Sequence, residues 1–412
     1  AVNIALVFVA VGSGTWLVFL ISTVAILLVS WNIAPLARSG STTGSLSDFV
    51  GRGLGETWRI ITGWILLLTY LSTAVAVLAA CVGYLASLLA ALGAVVPQPL
   101  LVGLVGGIAS VLALRNVRVS TALMLGLELL SITLVLLLCA AILFRQGWVV
   151  DVSQLRIEGS SFEGMNGTLL IGILSFAGFE TAAVLGDEAK DPLRTIPRAL
   201  FATPLLAGLF FVFSAYVLVL GFNHYGVNVS ATETPLDVLA DRIERPGLGI
   251  LISFGATISL FGCTIATLLA TSRVAYSLAR DSALPTWLAT VSERHFIPRN
   301  AVLAAVAVVL AAGISFASFA KPMDIYDWFG TFATFGFVSA YMLTCLSSPI
   351  VLRREGGLHP AQFAASVAAI LVLSYVLFTS VYPVPSAPLN ILPWLFLGLL
   401  GAGAGSSIRL RS

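Results

Sequence analysis

Two carboxylates stand where a carboxylate is expensive. Glu128 lies in "LGLELLS" and Glu180 in "AGFETAA", each inside an apolar run. A charge at mid-bilayer costs about 3 kcal/mol on insertion scales, so each carboxylate needs a reason to be there. One reading is a packing carboxyl, protonated or hydrogen-bonded to a neighbouring helix. The other is a group that titrates protons or lines a pathway. Glu180 has the more informative surroundings: Gly172, Gly178 and Gly186 punctuate its run, and Ser175 and Thr181 add hydroxyls. Glycines near the middle of a membrane helix let it unwind, and the freed backbone groups are tolerated only where they face a cavity or a ligand. Broken helices of this kind hold the charged ends of small solutes. The stretch that would do so here is Ser175, Phe176, Ala177, Gly178, Phe179 and Glu180.

Other chemistry is not visible. The chain has no HExxH, no GxSxG and no Walker GxxxxGK[ST]. The glycine-rich "GRGLG" at 51–55 lies in a basic loop between two apolar runs, where a nucleotide fold has no place. His224, His295 and His359 sit in separate loops and read as solvated. Cys81, Cys139, Cys263 and Cys345 lie far apart inside apolar runs, without metal spacing, and read as small buried hydrophobes. No metal site, no cofactor and no enzymatic activity are expected.

The elements that must position these groups follow from composition. Hydrophobic residues make up 58% of the 412, charged residues 10%, and the mean hydropathy is +1.02. A soluble domain carries roughly a quarter charged residues, and no single aqueous core absorbs so many apolar side chains. A bilayer does, and crossing its hydrocarbon takes about 20 helical residues. Spans are expected near 15–37, 59–91, 99–114, 117–144, 167–186, 199–222, 248–278, 301–319, 326–351, 362–381 and 390–407, with an apolar fragment at 1–11. The expected fold class is therefore an all-α polytopic membrane protein. Of the basic residues, 16 fall in one alternating set of loops and 5 in the other, so the richer set faces the cytoplasm. The other side collects acids, among them Glu233, Asp237, Asp324 and Asp327. "PLDVLADRI" and "LPTWLATVS" are mildly amphipathic and are candidates for short interfacial helices. A net charge of +2 gives no reason to expect a nucleic-acid partner. Nineteen Arg against two Lys, with abundant Ala, Leu, Val and Gly, suggests a bacterial source and hence the inner, cytoplasmic membrane.

Ser175–Leu200, "SFAGFETAAVLGDEAKDPLRTIPRAL", resembles the sixth helix of the amino acid–polyamine–organocation superfamily, with its GFE, its acidic-Lys-Asp-Pro-x-Arg segment and its IPRA. Blocks at 34–64, 270–291, 298–303 and 327–356 are similar to other conserved-order segments of that superfamily, so the resemblance covers the whole chain. It implies two inverted five-helix repeats with broken first and sixth helices, followed by two further helices. Here that means one transmembrane domain over 1–412, with repeats at 1–144 and 167–351 and the extra pair at 362–407. It also implies that carbonyls near Ser175, Phe176 and Ala177 receive an ammonium group. Asp187–Arg198 becomes a cytoplasmic connection, solvated or paired with other inner-loop charges.

Some positions depart from the pattern. Pro35 stands where an acid is frequent, and Leu174 where an aromatic gate residue often precedes the break. "VGSGTW" at 11–16 matches the outer turn between helices one and two, so residues 1–11 read as the outer half of a broken first helix. The inner half would then precede Ala1. The natural frame is expected to extend upstream by about 30 residues, on the length of a half-helix and a short tail, and the chain from Ala1 alone to bind amino acids weakly without moving them.

The resemblance implies a secondary active amino acid transporter working by alternating access. A binding-only or truncated non-transporting member is the competing reading, and an integral-membrane enzyme a third. Segments 64–77, 174–180, 255–265 and 328–336 should line the pocket, and Glu180 is their only carboxylate, which favours neutral amino acids over arginine or polyamines. Glu128 and Glu180 favour proton coupling or exchange. Ser259, Thr264, Thr267, Thr271 and Ser272 are the hydroxyls that would serve sodium, unless they bond back to their helix. The topology has a direct check in the two lysines. An impermeant amine reagent applied to intact cells should modify Lys321 and spare Lys190; the reverse pattern inverts the orientation.

Overall fold

Hydrocarbon demands that backbone polar groups be closed within each segment, and the apolar runs meet that demand as helices. The structure, a computed structural model, describes residues 2–38, 46–115, 121–156, 160–182, 191–291 and 298–409, and no strand occurs among them. The first half contains α1 (Val2–Val11), α2 (Thr15–Arg38), the short α3 (Leu46–Leu54), α4 (Glu56–Ala91), α5 (Gln98–Leu114) and α6 (Thr121–Arg145). After the single-turn α7 (Val152–Leu155) come α8 (Phe162–Leu174), α9 (Pro192–His224), α10 (Pro235–Arg242) and α11 (Pro246–Arg280). The chain closes with α12 (Arg299–Ala317), α13 (Pro322–Arg354), α14 (Pro360–Val381) and α15 (Leu392–Arg409). Among the described residues, eight stretches are long and apolar enough to cross a bilayer by themselves, the first being α1 and α2 together. Gln98–Leu114 and Leu389–Gly405 are apolar but shorter.

Proline sets several starting points. Pro192, Pro235, Pro246, Pro322 and Pro360 each open a helix, where a missing N–H costs nothing and the fixed φ suits the first turn. Inside α2, Pro35 has the opposite effect, because it leaves the carbonyl of Trp31, four residues back, without its helical donor. Gln362 on α14 supplies that donor, its Nε2 reaching the Trp31 oxygen at 3.1 Å. The departure at Pro35 thus ties α2 to α14.

α8 stops at Leu174, inside the run 167–186 where the sequence places a break. Two expectations change. "LPTWLATVS" forms only a 3-10 turn at Thr286–Ala289, too short to present an amphipathic face, whereas "PLDVLADRI" does form α10. Cys263 is exposed on the surface of α11, unlike the other three buried cysteines. Asp187, Glu188 and Lys190 lie outside the described residues.

Packing is densest where α4 meets α11 and α13. Elsewhere α2 lies on α9, α5 on α12 and α1 on α8. Small residues permit the approach: a Cβ on Gly336 of α13 would overlap Thr69 Oγ1 of α4, and one on Gly164 of α8 would overlap the Ala10 carbonyl of α1. Charge joins α3 to the start of α4 and to the ends of α11 and α13. Arg59 meets Asp281 at 2.7 Å, Glu56 at 2.8 Å and Asp48 at 3.4 Å, so one guanidinium links α3, α4 and the end of α11. Arg52 reaches Glu355 at 3.0 Å, just beyond α13.

Because Gly336 sits at the closest approach, Gly336→Leu should lower stability by about 1–3 kcal/mol or more through overpacking. Gly107→Ala on α5, where a Cβ meets nothing within 4 Å, is the control and should be neutral. Thermal unfolding of the purified variants in detergent checks both.

Candidate functional site

The break follows from one residue. Across Ser175–Thr181 the backbone bonds tighten to three-residue steps: Phe176 N–H to Ile173, Ala177 to Leu174, Phe179 to Phe176 and Thr181 to Gly178. Gly178 sits between them at φ +97°, a left-handed conformation that L side chains rarely adopt. Its N–H donates to a side chain, the carboxylate of Glu180, at 3.1 Å. From the start of α8 the helix has risen about 20 Å at this point.

Glu180 is 3% exposed and fully partnered. Tyr70 of α4 donates to Oε1 at 3.0 Å, and Tyr341 of α13 donates to Oε2 at 2.8 Å. With the Gly178 N–H, three donors converge on one carboxylate, the arrangement a dry anion requires. Aromatic rings enclose it. Phe179 packs on Tyr341 at 5.6 Å between centroids, Phe337 lies 6.0 Å from Tyr341, and Tyr70 meets Phe337 edge-on at 5.8 Å.

A second hydrogen-bond chain meets the break from α1. Tyr326 donates to Asn3 Oδ1 at 2.6 Å, Asn3 Nδ2 donates to Ser175 Oγ at 2.6 Å, and Ser175 Oγ donates to the Ile171 carbonyl at 3.0 Å. The chain joins α13, α1 and the inner end of α8. Of the residues expected at the break, Phe176 turns away toward Phe211 of α9, with centroids 5.6 Å apart. Ser175, Gly178, Phe179 and Glu180 enter the two networks, and Ala177 belongs to the turn itself.

Glu128 is elsewhere. It accepts from Ser259 of α11 at 2.6 Å and shares no partner with Glu180. Four other hydroxyls of α11, those considered for sodium, bond back to their own helix: Thr264 to Leu260, Thr267 to Cys263, Thr271 to Thr267 and Ser272 to Leu269.

Tyr70, Tyr341, Tyr326 and Asn3 were not among the residues singled out by sequence. Their signal was present in kind. Tyrosines in "LLTYLST" and "VSAYMLT" lie in the interior of apolar runs, away from the interfacial positions this residue prefers, and a phenol there needs a partner.

A cavity of about 870 Å³ opens among the loops after α9, before α13 and after α14. It is walled by α1 and α8 and does not reach the Ser175–Glu180 stretch itself. Glu233, Asp324, Asp327 and Lys321 face it. Burial pushes the Glu233 carboxyl above the ordinary range, and the nearby Asp324 charge adds to that.

The sequence profile of the amino acid permease family matches residues 2–394. An uncharacterized transporter of Mycobacterium tuberculosis is 27% identical over 89% of this chain and 79% of its own length. The branched-chain amino acid permease BcaP of Lactococcus lactis is 27% identical over 84% of this chain and 76% of its own. The cationic amino acid transporter 4 of Mus musculus is 26% identical over 85% of this chain and 56% of its own.

The geometry makes a test of the carboxylate clamp. Tyr341→Phe should cost about 1–3 kcal/mol, because it strips a donor from a buried carboxylate. Glu180→Gln should recover part of that loss in the double variant, measured by thermal unfolding. Equal losses with and without Glu180→Gln would show that the phenol is held by packing alone.

Proposed function

This chain belongs to the amino acid permease family, and from that premise we propose that it is a secondary active permease taking neutral amino acids across the cytoplasmic membrane of a bacterium. As a member of that family it is a multi-pass membrane transporter of amino acids and not an enzyme. The observation that carries the finer reading is the break at Gly178, with a buried carboxylate bound from α4 and α13.

A zwitterion in a dry site must have both charges met. Carbonyls of the Ser175–Ala177 turn suit the ammonium end, and the first N–H groups of α1, at the positive end of that helix, suit the carboxylate. Asn3 holds the two elements together through Ser175. Preference for a neutral side chain is supported by the state of Glu180. Its oxygens already accept three donors, so it offers no free anion to a guanidinium or a second ammonium. The relatives' names point both ways, one to branched-chain and one to cationic amino acids.

Alternating access is supported by how the helices pair. α1 lies on α8, α2 on α9, α4 on α11 and α5 on α12, so elements of 1–144 meet those at corresponding places in 167–351. That pattern fits two inverted repeats, with α14 and α15 as the extra pair. Proton coupling or exchange is favoured over sodium because two membrane carboxylates are present, while the hydroxyl protons of Thr264, Thr267, Thr271 and Ser272 go to helix carbonyls.

Uptake into proteoliposomes by the protein expressed from its own reading frame tests this reading. A pH gradient, acidic outside, should drive accumulation of radiolabelled leucine that excess arginine does not compete. Glu180→Gln should weaken transport or its pH dependence, and Glu128→Gln should alter coupling with little change in substrate affinity. Unaltered pH profiles in both variants remove the proton assignment, and sodium-driven uptake replaces it.

A further inference from the structure

Glu233, Asp324, Asp327 and Lys321 give the outer cavity two net negative charges over largely apolar walls. Carboxylates at a rim are ordinarily just solvated, and these would carry no argument alone. Two unmet hydrogen-bonding groups change that. Tyr84 near the outer end of α4 is 2% exposed and lines this cavity, yet its hydroxyl has no hydrogen bond among the described residues. The contrast is with Tyr70, Tyr326 and Tyr341, whose hydroxyls all donate to protein oxygens. Its hydroxyl is thus open to whatever fills the cavity, and a polar occupant would meet it.

The second unmet group lines the same cavity, and its charge acts on the Tyr84 hydroxyl. Oε2 of Glu233 is buried and has no partner, and it lies 3.9 Å from where a Cβ on Gly83 would stand. An acceptor with a negative charge and a hydroxyl able to accept thus share one corner of the cavity. A compact multivalent metal ion is a poor match, because no group of three acidic, histidine or cysteine side chains among the described residues is close enough to hold one. A primary ammonium matches: three N–H donors, one positive charge, and an attached chain that can lie along Leu6 and Val9 of α1.

We propose that the Tyr84–Glu233 corner of the outer cavity is a separate binding site for a primary ammonium group, the amino end of an amino acid arriving from outside. Glu233 supplies the counter-charge, the Tyr84 oxygen accepts one N–H, and Asp324 and Asp327 raise the local concentration of cations at the mouth. The site is distinct from the break, since neither Tyr84 nor Glu233 hydrogen-bonds to Ser175–Glu180. Its assignment to an arriving substrate rests on the reading of the chain as a transporter of amino acids; its chemistry does not.

The test reads occupancy, without reference to transport. Met323 lines the cavity and is converted to cysteine in the protein expressed from its own reading frame, with the exposed Cys263→Ser. The rate of modification by an impermeant methanethiosulfonate is then followed from outside in lipid vesicles. 3-Methylbutylamine, which has the ammonium and no carboxylate, should slow modification, and 4-methylpentanoate, which has the reverse, should not. Glu233→Gln should raise the amine concentration needed by about tenfold or more, as expected for loss of a charge-assisted bond. Tyr84→Phe removes one hydroxyl only, is the safer variant for folding, and should raise it severalfold. Failure of the amine to protect, equal protection in both variants, or equal protection by the carboxylate overturns the proposal. Amine protection without leucine uptake leaves this site standing and removes the transport reading. Uptake without amine protection does the opposite.

Discussion

A carboxylate far from water must be surrounded by donors, and most of what is distinctive here serves the one at Glu180. Its three donors come from three places in the chain: Tyr70 on α4, Tyr341 on α13, and the Gly178 N–H that the break itself releases. Removing any of the three leaves the charge partly unmet in a medium where that costs several kcal/mol. The break and the clamp therefore depend on each other. Gly178 can leave the helical ladder because Glu180 accepts its N–H, and Glu180 can stay in hydrocarbon because the break provides a donor.

The clamp also sets a packing requirement. Tyr70 and Tyr341 reach the same carboxylate only if α4 and α13 run close together, and Gly336 against Thr69 is what allows it. The helix pair with the tightest approach is thus the pair that holds the broken segment. At the start of α4 Arg59 links α3, α4 and the residue after α11, and Arg52 links α3 to Glu355 after α13. These ion pairs are part-exposed, so their individual contributions are small. They close one end of a bundle whose other end opens into the outer cavity.

The two membrane carboxylates, alike in sequence, have different surroundings. Glu180 is enclosed by rings and phenols, while Glu128 meets a single hydroxyl, Ser259, on an otherwise apolar stretch of α6.

Membrane class was legible in the sequence, because hydrocarbon leaves a chain few options beyond long apolar runs closed as helices. The break was legible too, as Gly178 beside Glu180 in an apolar run, and so was the turn at Gly12–Gly14 that separates α1 from α2. What tertiary structure alone decided was partnership. Nothing in "LLTYLST" says that its tyrosine meets a glutamate 110 positions away, nor does Asn3 announce Tyr326, because hydrogen bonds between helices depend on rotation and register that no local pattern encodes. Cys263 is the converse case, read as buried from its apolar neighbours and exposed because of the face of α11 it occupies. Periodicity says which residues can be in the membrane; only the packing of one helix on another says which of them a polar group will find there.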